Sequence, residues 1–233
     1  MNLILLFDDD FVAPARVRLT GRRLHHVLEV HRAAAGDELT VGVAGGRVGR
    51  GVVARLDGDA LEMDVTLDRE PPAPLPLTLI LALPRPKVLN RVMASVASLG
   101  VKRVVLVNAW RVEKSYWKSP RLDHLRDQLI LGLEQAKDTM LPALELRRFF
   151  RPFVEDELPA IARGTRALVA HPSAPAECPR DVREAVTLAI GPEGGFIAEE
   201  IASLKCVGFA PVSMGARVLR VETAVAAIIG RLF

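Results

Sequence analysis

The sequence lacks several features that would define its class. Its 233 residues include only two cysteines, Cys178 and Cys206, which are too few for a disulfide framework and lack the paired spacing of a zinc site. No apolar run approaches the roughly 20 residues that cross a bilayer. No basic segment precedes the short LILLF run at the amino terminus. We therefore expect a cytosolic protein that is not inserted in a membrane.

Nucleotide-binding motifs and repeats are missing as well. The glycine-rich stretches fit neither GxGxxG nor GxxxxGK[ST], so neither dinucleotide nor P-loop binding is supported. The chain contains no internal repeat and no low-complexity tract. Apolar residues make up 50% of it, which at this length is enough for a substantial buried core. These properties indicate an ordinary globular protein.

Charge is unevenly distributed. Although the net charge is only +3, residues 71–153 hold 14 basic and 6 acidic residues, whereas residues 1–70 hold 9 and 12. Within the acidic first part, RVRLTGRRLHHVLEVHR concentrates five arginines and three histidines. Basic side chains that neutralise phosphates release condensed counterions, so the two basic zones favour RNA as a partner, with solvated surface charge as the alternative. The candidate RNA-binding residues are Arg16, Arg22, Arg23, His25, His26, Arg32, Lys87, Arg91, Arg111 and Lys114.

A proline-rich linker, EPPAPLP from Glu70 to Pro76, divides the chain. Its four prolines fix φ and remove backbone donors, so neither a helix nor a central strand can run through it. We predict one domain over residues 1–70 and a second over residues 77–233. The valine-rich segments of the first, separated by Gly and Asp, predict a small antiparallel sheet or barrel. GRRLHHVLEVHRA in the same domain predicts one short helix with a basic outer face.

The pattern changes after the linker. Apolar runs of four to eight residues, such as LTLILAL, VKRVVLVN, RALVAHP and TLAIGPEGG, alternate with helical patterns. This alternation predicts an α/β domain with a mainly parallel sheet. In such sheets ligands bind beyond the carboxyl ends of the strands, where the loops HPS, GPEGG and MGARVLR would lie.

The GPEGG loop is the first candidate for a ligand contact. Gly191, Gly194 and Gly195 permit close approach of the main chain, so a ligand could be bound by N–H and C=O groups, and Glu193 adds a carboxylate. The alternative is an ordinary strand-to-helix turn.

Arg220, Glu222 and Thr223 form the second candidate. A cation beside an apolar segment needs a partner, which either Glu222 or a bound anionic group would supply. The alternative is a helix start at which Glu222 or Thr223 provides the cap. The helix that follows is apolar almost all round, so we expect it to be buried within the domain or against another subunit.

These motifs resemble a known family. LAIGPEGGF followed by EEI, and then GFAPVSMGARVLRVETA, resemble the carboxyl-terminal signature of the RsmE family, ribosomal RNA small subunit methyltransferase E, within the SPOUT superfamily. GRRLHHVLEVHRAAAGDEL resembles that family's PUA-like RNA-binding domain, and LGVKRVVLVNAWRVEKSYWK its central strand region. Two segments depart from the family pattern: MASVASLGV lacks a usual lysine and glutamate, and EQAKD replaces EQSGR.

The resemblance implies a fold and an activity. The fold would be a SPOUT-type α/β domain with a carboxyl-terminal trefoil knot, preceded by a small PUA-like β-barrel. The protein would work as a homodimer and transfer a methyl group from S-adenosylmethionine to N3 of a uridine in small-subunit (16S) ribosomal RNA, without a metal. Methylation of another RNA position, or an inactive RNA-binding assembly protein, are the alternatives.

The resemblance also implies site residues. The catalytic candidates are Arg220, which would stabilise charge or bind a phosphate, Glu222, which would orient it, and Glu193, which would handle a proton. The cofactor-binding candidates are Leu168, Ala170, His171, Pro172, Ile190, Gly191, Pro192, Glu193, Gly194, Gly195, Met214, Gly215, Ala216, Val218, Leu219, Arg220 and Thr223.

Overall fold

The chain forms two compact units. The computed structural model describes residues 2–233. One unit comprises the residues up to Ala73 together with Ile130–Leu141, and the other comprises Pro74–Leu129 and Pro142–Phe233. The change of unit after Ala73 falls inside the proline-rich segment. No helix within residues 2–233 has the length and apolarity needed to cross a bilayer.

The first unit contains a six-stranded sheet in the order β1-β4-β5-β6-β3-β2. All its pairs are antiparallel except β1 with β4, which run parallel. The sequence predicted an antiparallel sheet; the parallel pair was not foreseen because β1 is a short, fully buried run without alternation. The strands are β1 Ile4–Leu6, β2 Phe11–Ala13, β3 Arg16–Leu19, β4 Glu38–Val43, β5 Val48–Leu56 and β6 Leu61–Arg69.

Burial in this sheet alternates along the strands. In β6, Leu61, Met63 and Val65 are buried, whereas Asp64 between them is exposed, as expected for a sheet with one face in the core. The predicted short helix is confirmed as α1, Gly21–His26, which continues in a π-helical turn over Val27–His31.

The second unit contains six strands in the order β12-β10-β11-β7-β8-β9, all parallel. This confirms the predicted α/β architecture. The strands are β7 Leu77–Ala82, β8 Arg103–Val107, β9 Ala143–Arg147, β10 Arg166–Ala170, β11 Val186–Ile190 and β12 Ala210–Val212. Every residue of β11 is buried, as expected for a central strand covered on both faces.

Helices connect these strands. The remaining helices of the chain are α2 Pro86–Ser98, α3 Leu125–Ala136, α4 Phe150–Pro152, α5 Leu158–Ile161, α6 Ala198–Cys206 and α7 Val221–Leu232. Shorter helical turns cover Asp8–Asp10, Lys114–Lys118, Pro120–His124 and Phe153–Glu157. Pro86 occupies the first turn of α2, where its fixed φ suits a helix start. The helix α7 buries Val225 and Ile228 but leaves Ala226 exposed, so it is only partly buried.

Candidate active site at the carboxyl ends of β10, β11 and β12

A cavity of about 630 Å³ lies at the carboxyl ends of β10, β11 and β12. Its walls are the loops that follow these strands, together with the amino-terminal turns of α2 and α7. The volume is within the range of small-molecule sites. The position is the one at which open parallel sheets bind their ligands.

The cavity brings together most of the cofactor-binding residues named from the sequence. Those that line it are Ala170, His171, Pro172, Ile190, Gly191, Pro192, Glu193, Gly195, Met214, Gly215, Val218, Leu219 and Arg220. Four others are outside the lining: Leu168 is buried within β10, Gly194 faces Arg111, and Ala216 and Thr223 are exposed. Of the catalytic candidates, Arg220, Glu222 and Glu193 all line the cavity.

The sequence did not indicate that α2 contributes a wall of the cavity. Arg85, at the amino terminus of α2, and Val88 line the cavity and were not named, whereas Arg91, which lines it with them, was named only as an RNA-binding candidate. All three are far along the chain from the glycine-rich loops. Their spacing of three residues places them on one face of the helix, which is the only signal that the sequence offers. The other lining residues that were not named are Val212, Ser213, Arg217, Val221, Ala224 and Ile228.

The GPEGG loop requires glycine at positions 191 and 195. A Cβ atom at Gly191 would lie 2.8 Å from the main-chain nitrogen of Phe196, whereas one at Gly194 would meet Cδ of Arg111 at 2.8 Å, a flexible side chain that can move. Gly195 has φ of 71°, a conformation that residues with a side chain rarely adopt. The loop is therefore tightly folded against itself.

Two glutamates fix this loop to its neighbours. Glu193 Oε1 accepts a hydrogen bond of 2.9 Å from the main-chain N–H of Arg85, the residue that precedes α2. Glu200 is buried and accepts hydrogen bonds from the main-chain N–H groups of Trp110 (2.7 Å) and Ile197 (3.0 Å). Glu200 pairs two partly buried donors, and both carboxylates join separate segments, so they hold the cavity wall in place.

The segment 214–219 is the third loop of the cavity. Across the described residues 2–233, none of its main-chain groups forms a hydrogen bond with another main-chain group. Gly215 within it has φ of 97°. Because Met214, Gly215 and Leu219 line the cavity, N–H and C=O groups of this loop are available to a ligand.

Arg220 and Glu222 do not form a pair. Arg220 is exposed, and within residues 2–233 no carboxylate lies within 4.0 Å of its guanidinium. Glu222 Oε1 instead lies 4.0 Å from the guanidinium of Arg91. The capping alternative is wrong, because α7 begins at Val221 with Arg220 at the N-cap position, so Glu222 and Thr223 are already within the first turn.

The cavity wall carries more positive than negative side chains. Arg85, Arg91, Arg217 and Arg220 face only Glu193 and Glu222 among the lining residues. Arg85 also contacts Tyr116, whose hydroxyl donates to Glu113 Oε1 at 3.1 Å. Burial raises the pKa of that hydroxyl above its ordinary value. The positive excess suits a negatively charged ligand.

Three of the six RNA-binding candidates of the first unit are paired with acidic residues. Arg16 forms a two-pronged ion pair with Asp64 at 2.8 and 2.9 Å. Arg22 pairs with Glu134, and Arg23 with Asp10. His26 is half-buried, and burial lowers its pKa.

The remaining RNA-binding candidates are exposed. They are His25, Arg32, Lys87, Arg91, Arg111 and Lys114. Arg111 donates a hydrogen bond to the carbonyl oxygen of Gly194, so it is anchored to the GPEGG loop. Lys87 and Arg91 lie on α2, and Arg91 lines the cavity, whereas Lys87 is outside the lining.

Comparisons with known proteins place the chain in a family. The model of a family described as an RNA methyltransferase domain matches residues 71–232. Ribosomal RNA small subunit methyltransferase E of Treponema pallidum is 29% identical to this chain, over 97% of this chain and 88% of that protein. The protein of the same name from Synechocystis is 29% identical, over 94% of this chain and 73% of that protein. The resemblance to the RsmE family is confirmed.

Solved structures share the fold. Ribosomal RNA small subunit methyltransferase E from Neisseria gonorrhoeae, bound to S-adenosyl methionine, superposes with a TM-score of 0.76 at 22% identity, covering 98% of this chain and 95% of that one. A Legionella pneumophila methyltransferase in complex with the same cofactor gives a TM-score of 0.74 at 24% identity, covering 98% and 96%.

Proposed function

This chain belongs to the RNA methyltransferase domain family, and from that premise we propose that it transfers a methyl group from S-adenosylmethionine to N3 of a uridine in small-subunit ribosomal RNA. The observation that supports the proposal best is the cavity, in which three loops from separate strands converge on a basic rim. The names of its relatives support the substrate, and the cofactor held by two structural neighbours supports the methyl donor.

The residues of the cavity fit S-adenosylmethionine. Ile190, Val212, Leu219 and Ile228 offer apolar surface for the adenine ring. The main-chain groups of segment 214–219 are free to meet the polar edge of that ring and the ribose hydroxyls. Sites for small molecules combine apolar walls with a few such polar groups.

The chain's own contribution to the reaction is alignment and electrostatics. Bound S-adenosylmethionine would supply an electrophilic methyl group. Holding two reactants in line can supply about 7–11 kcal/mol of the barrier, and the loops that Glu193 and Glu200 fix are suited to this.

Arg220 is positioned to act on the uracil. N3 of uracil must lose a proton before it attacks, and a cation near the ring carbonyls stabilises the negative charge that develops. Arg220 has no carboxylate partner within the described chain and lies at the cavity. Glu193 Oε1 is engaged by Arg85, so its other oxygen is the one available to take a proton. Glu222 lies beside Arg91 rather than Arg220, so it would orient Arg91.

The finer features implied by the resemblance are part of the same proposal. The carboxyl-terminal segment would form a trefoil knot around the three loops, and the first unit, with its six-stranded sheet, would be a PUA-like RNA-binding barrel over residues 1–70. The methyltransferase domain would span residues 77–233. Homodimerisation is supported by α7, which leaves the small residues Thr223, Ala226 and Gly230 exposed. The protein would act on ribosomal RNA in the cytoplasm.

Two measurements test the proposal. Calorimetry with S-adenosylmethionine on the full chain should show binding at one site per chain, and Leu219→Asp should abolish it, whereas Ala202→Ser, at an exposed position of α6 outside the cavity lining, should not. Mass spectrometry of ribosomal RNA from cells that lack the protein should show loss of one N3-methyluridine. Loss of a methyl group at any other position would refute the proposed target, and absence of binding would favour an inactive assembly protein.

A further inference from the structure

We propose that Trp110 and Phe149 form a stacking platform for bases of single-stranded RNA beside the cavity. The inference rests on the proposed function and specifies how the RNA substrate is held. Trp110 is 79% exposed and Phe149 is 74% exposed, the two most exposed aromatic side chains among residues 2–233. Each exposed ring offers a large apolar surface that a partner can cover.

Trp110 stands at the tip of a tight turn after β8. The main-chain N–H of Val112 donates to the carbonyl of Ala109 at 3.0 Å, which closes the turn. Ala109 and Val112 are buried, so they anchor the turn while Trp110 and Arg111 between them face solvent. The exposure of Trp110 is therefore imposed by the local fold.

The turn is also fixed to the cavity wall. The main-chain N–H of Trp110 donates to the buried carboxylate of Glu200 at 2.7 Å. The guanidinium of Arg111 donates to the carbonyl of Gly194, whose neighbours Glu193 and Gly195 line the cavity. These contacts hold the backbone at Trp110 and Arg111, so only the two χ angles of the indole remain to be fixed on binding.

Phe149 follows the neighbouring strand. The main-chain N–H of Asn108 donates to the carbonyl of Arg147 at 2.9 Å, so the segments after β8 and β9 start side by side. The side chains on either side of Phe149 are packed: Arg148 lies 5.7 Å from the centre of the Trp117 ring, and the ring of Phe150 lies 5.8 Å from that of Phe196. Phe149 is thus left without such a partner in its own segment and faces solvent.

The charges around the two rings indicate the occupant. Arg111, Lys114, Lys118 and Arg148 are exposed basic residues in these two segments, and Glu113 is the acidic residue among them. Aromatic rings interleaved with cations bind single-stranded nucleic acid, because bases stack on the rings while the cations meet the phosphates. An apolar protein surface would gain nothing from these cations, so we infer RNA rather than a protein partner.

Fluorescence tests the contact directly. Trp110 and Trp117 are the two tryptophans of the chain, so Trp117→Phe makes Trp110 the sole indole reporter. Titration of this variant with a short oligouridylate, without methyl donor, should quench its emission. An RNA duplex of equal length, whose bases are already stacked, should quench it much less. Equal quenching by both, or none by either, would overturn the platform.

Kinetics separates the platform from the catalytic site. Trp110→Ala and Phe149→Ala should each raise KM for the RNA about tenfold, as expected for the loss of one stacked base. Neither should change kcat or the affinity for S-adenosylmethionine, and Trp110→Phe should retain most of the RNA affinity. Leu131→Ala, which truncates another exposed apolar side chain, should leave KM unchanged.

Three further results distinguish failure of the stacking platform from failure of the proposed activity. If Trp110→Ala alters the oligomeric state in solution, the rings belong to a contact between copies of the chain, and the platform is refuted. If oligouridylate quenches Trp110 but no RNA is methylated, the platform stands and the proposed activity fails. If methylation proceeds with an unchanged KM in Trp110→Ala, the activity stands and the platform fails.

Discussion

Most arginine side chains of the first unit pair with carboxylates, whereas most of those around the cavity of the second unit do not. Arg16, Arg22 and Arg23 each form an ion pair within their own unit. In the cavity wall Arg217 and Arg220 have no carboxylate within 4.0 Å across residues 2–233. A paired guanidinium has much of its field cancelled by the partner, and an unpaired one keeps its attraction for phosphate.

This difference shows why local charge density alone does not locate an RNA interface. The densest basic segment of the sequence, around Arg16 to Arg32, contributes several of its cations to the unit's own stability. The cations of the cavity wall are scattered along the sequence and converge only in the fold. We therefore expect the stronger contribution to RNA binding from the second set.

The largest effect should follow from breaking a buried pair of the first unit. Arg23 and Asp10 have side chains that are only 18% and 10% exposed, and Arg23 also donates to the carbonyl of Leu5. Arg23→Ala should destabilise the unit by about 3–5 kcal/mol, because it leaves a buried carboxylate without its partner. Chemical denaturation followed by circular dichroism measures this.

The matched control is the exposed pair. Arg16→Ala breaks a bidentate pair with Asp64 at the surface, where water replaces the lost contacts. Its cost should be within about 0–1 kcal/mol. Equal destabilisation by the two variants would mean that burial does not distinguish these pairs.

In the cavity wall of the second unit, Arg220→Ala should impair activity and leave stability unchanged. We expect methyl transfer to fall by about 10²–10³-fold, the usual loss when one group that stabilises developing charge is removed. Thermal unfolding should be unaffected, since the side chain is exposed and has no carboxylate partner in the described chain. Arg220→Lys should recover part of the activity. Unchanged turnover in Arg220→Ala would remove this residue from the mechanism.

A smaller effect is expected on RNA affinity, where an arginine without a carboxylate partner should contribute more than a paired one. Arg217→Ala should weaken RNA binding severalfold and reduce the slope of log affinity against log salt by about 0.7–0.9, the value for one phosphate contact. Arg16→Ala should change neither quantity, because its guanidinium is already held by Asp64. If Arg16→Ala weakens binding as much as Arg217→Ala, paired arginines bind RNA too and the comparison fails.

The smallest effect concerns pH. Burial lowers the pKa of His26, and the neighbouring His31 and Arg22 lower it further, against an opposing effect of Glu29. The unfolded chain therefore binds the proton more readily, so this residue costs stability as pH falls below about 6.5 through the lowered pKa. His26→Leu should flatten the fall of the unfolding free energy over that range. Parallel curves for both proteins would show that His26 is not responsible.

The sequence predicted best those elements that leave a pattern in a short stretch of residues. The parallel strands β7, β8, β10 and β11 were predicted from short apolar runs, because strands covered on both faces are apolar throughout. The edge strand β9 was not foreseen, since its Glu145 and Arg147 pair with each other and break the apolar pattern.

The candidate site likewise contains residues that were named from the sequence and residues that were not. Glycine and proline mark the cavity loops, so Gly191, Gly195 and Gly215 were named from their turn chemistry and the resemblance. Arg85 and Val88 on α2 were not named, and Arg91 was named only for RNA binding, because the nearness of α2 to those loops is a tertiary contact that leaves no local signal. The position of Glu222 beside Arg91 rather than Arg220 is also a tertiary contact, so the sequence did not predict it.

One measurement tests the central claim most directly. The purified protein is incubated with small-subunit ribosomal RNA and S-adenosylmethionine that carries an isotopically labelled methyl group, and the RNA is digested and analysed by mass spectrometry. The account predicts labelled N3-methyluridine from the wild-type protein and none from Leu219→Asp, whose carboxylate would lie in the cavity. Label on another nucleoside, or equal label from Leu219→Asp, would contradict it.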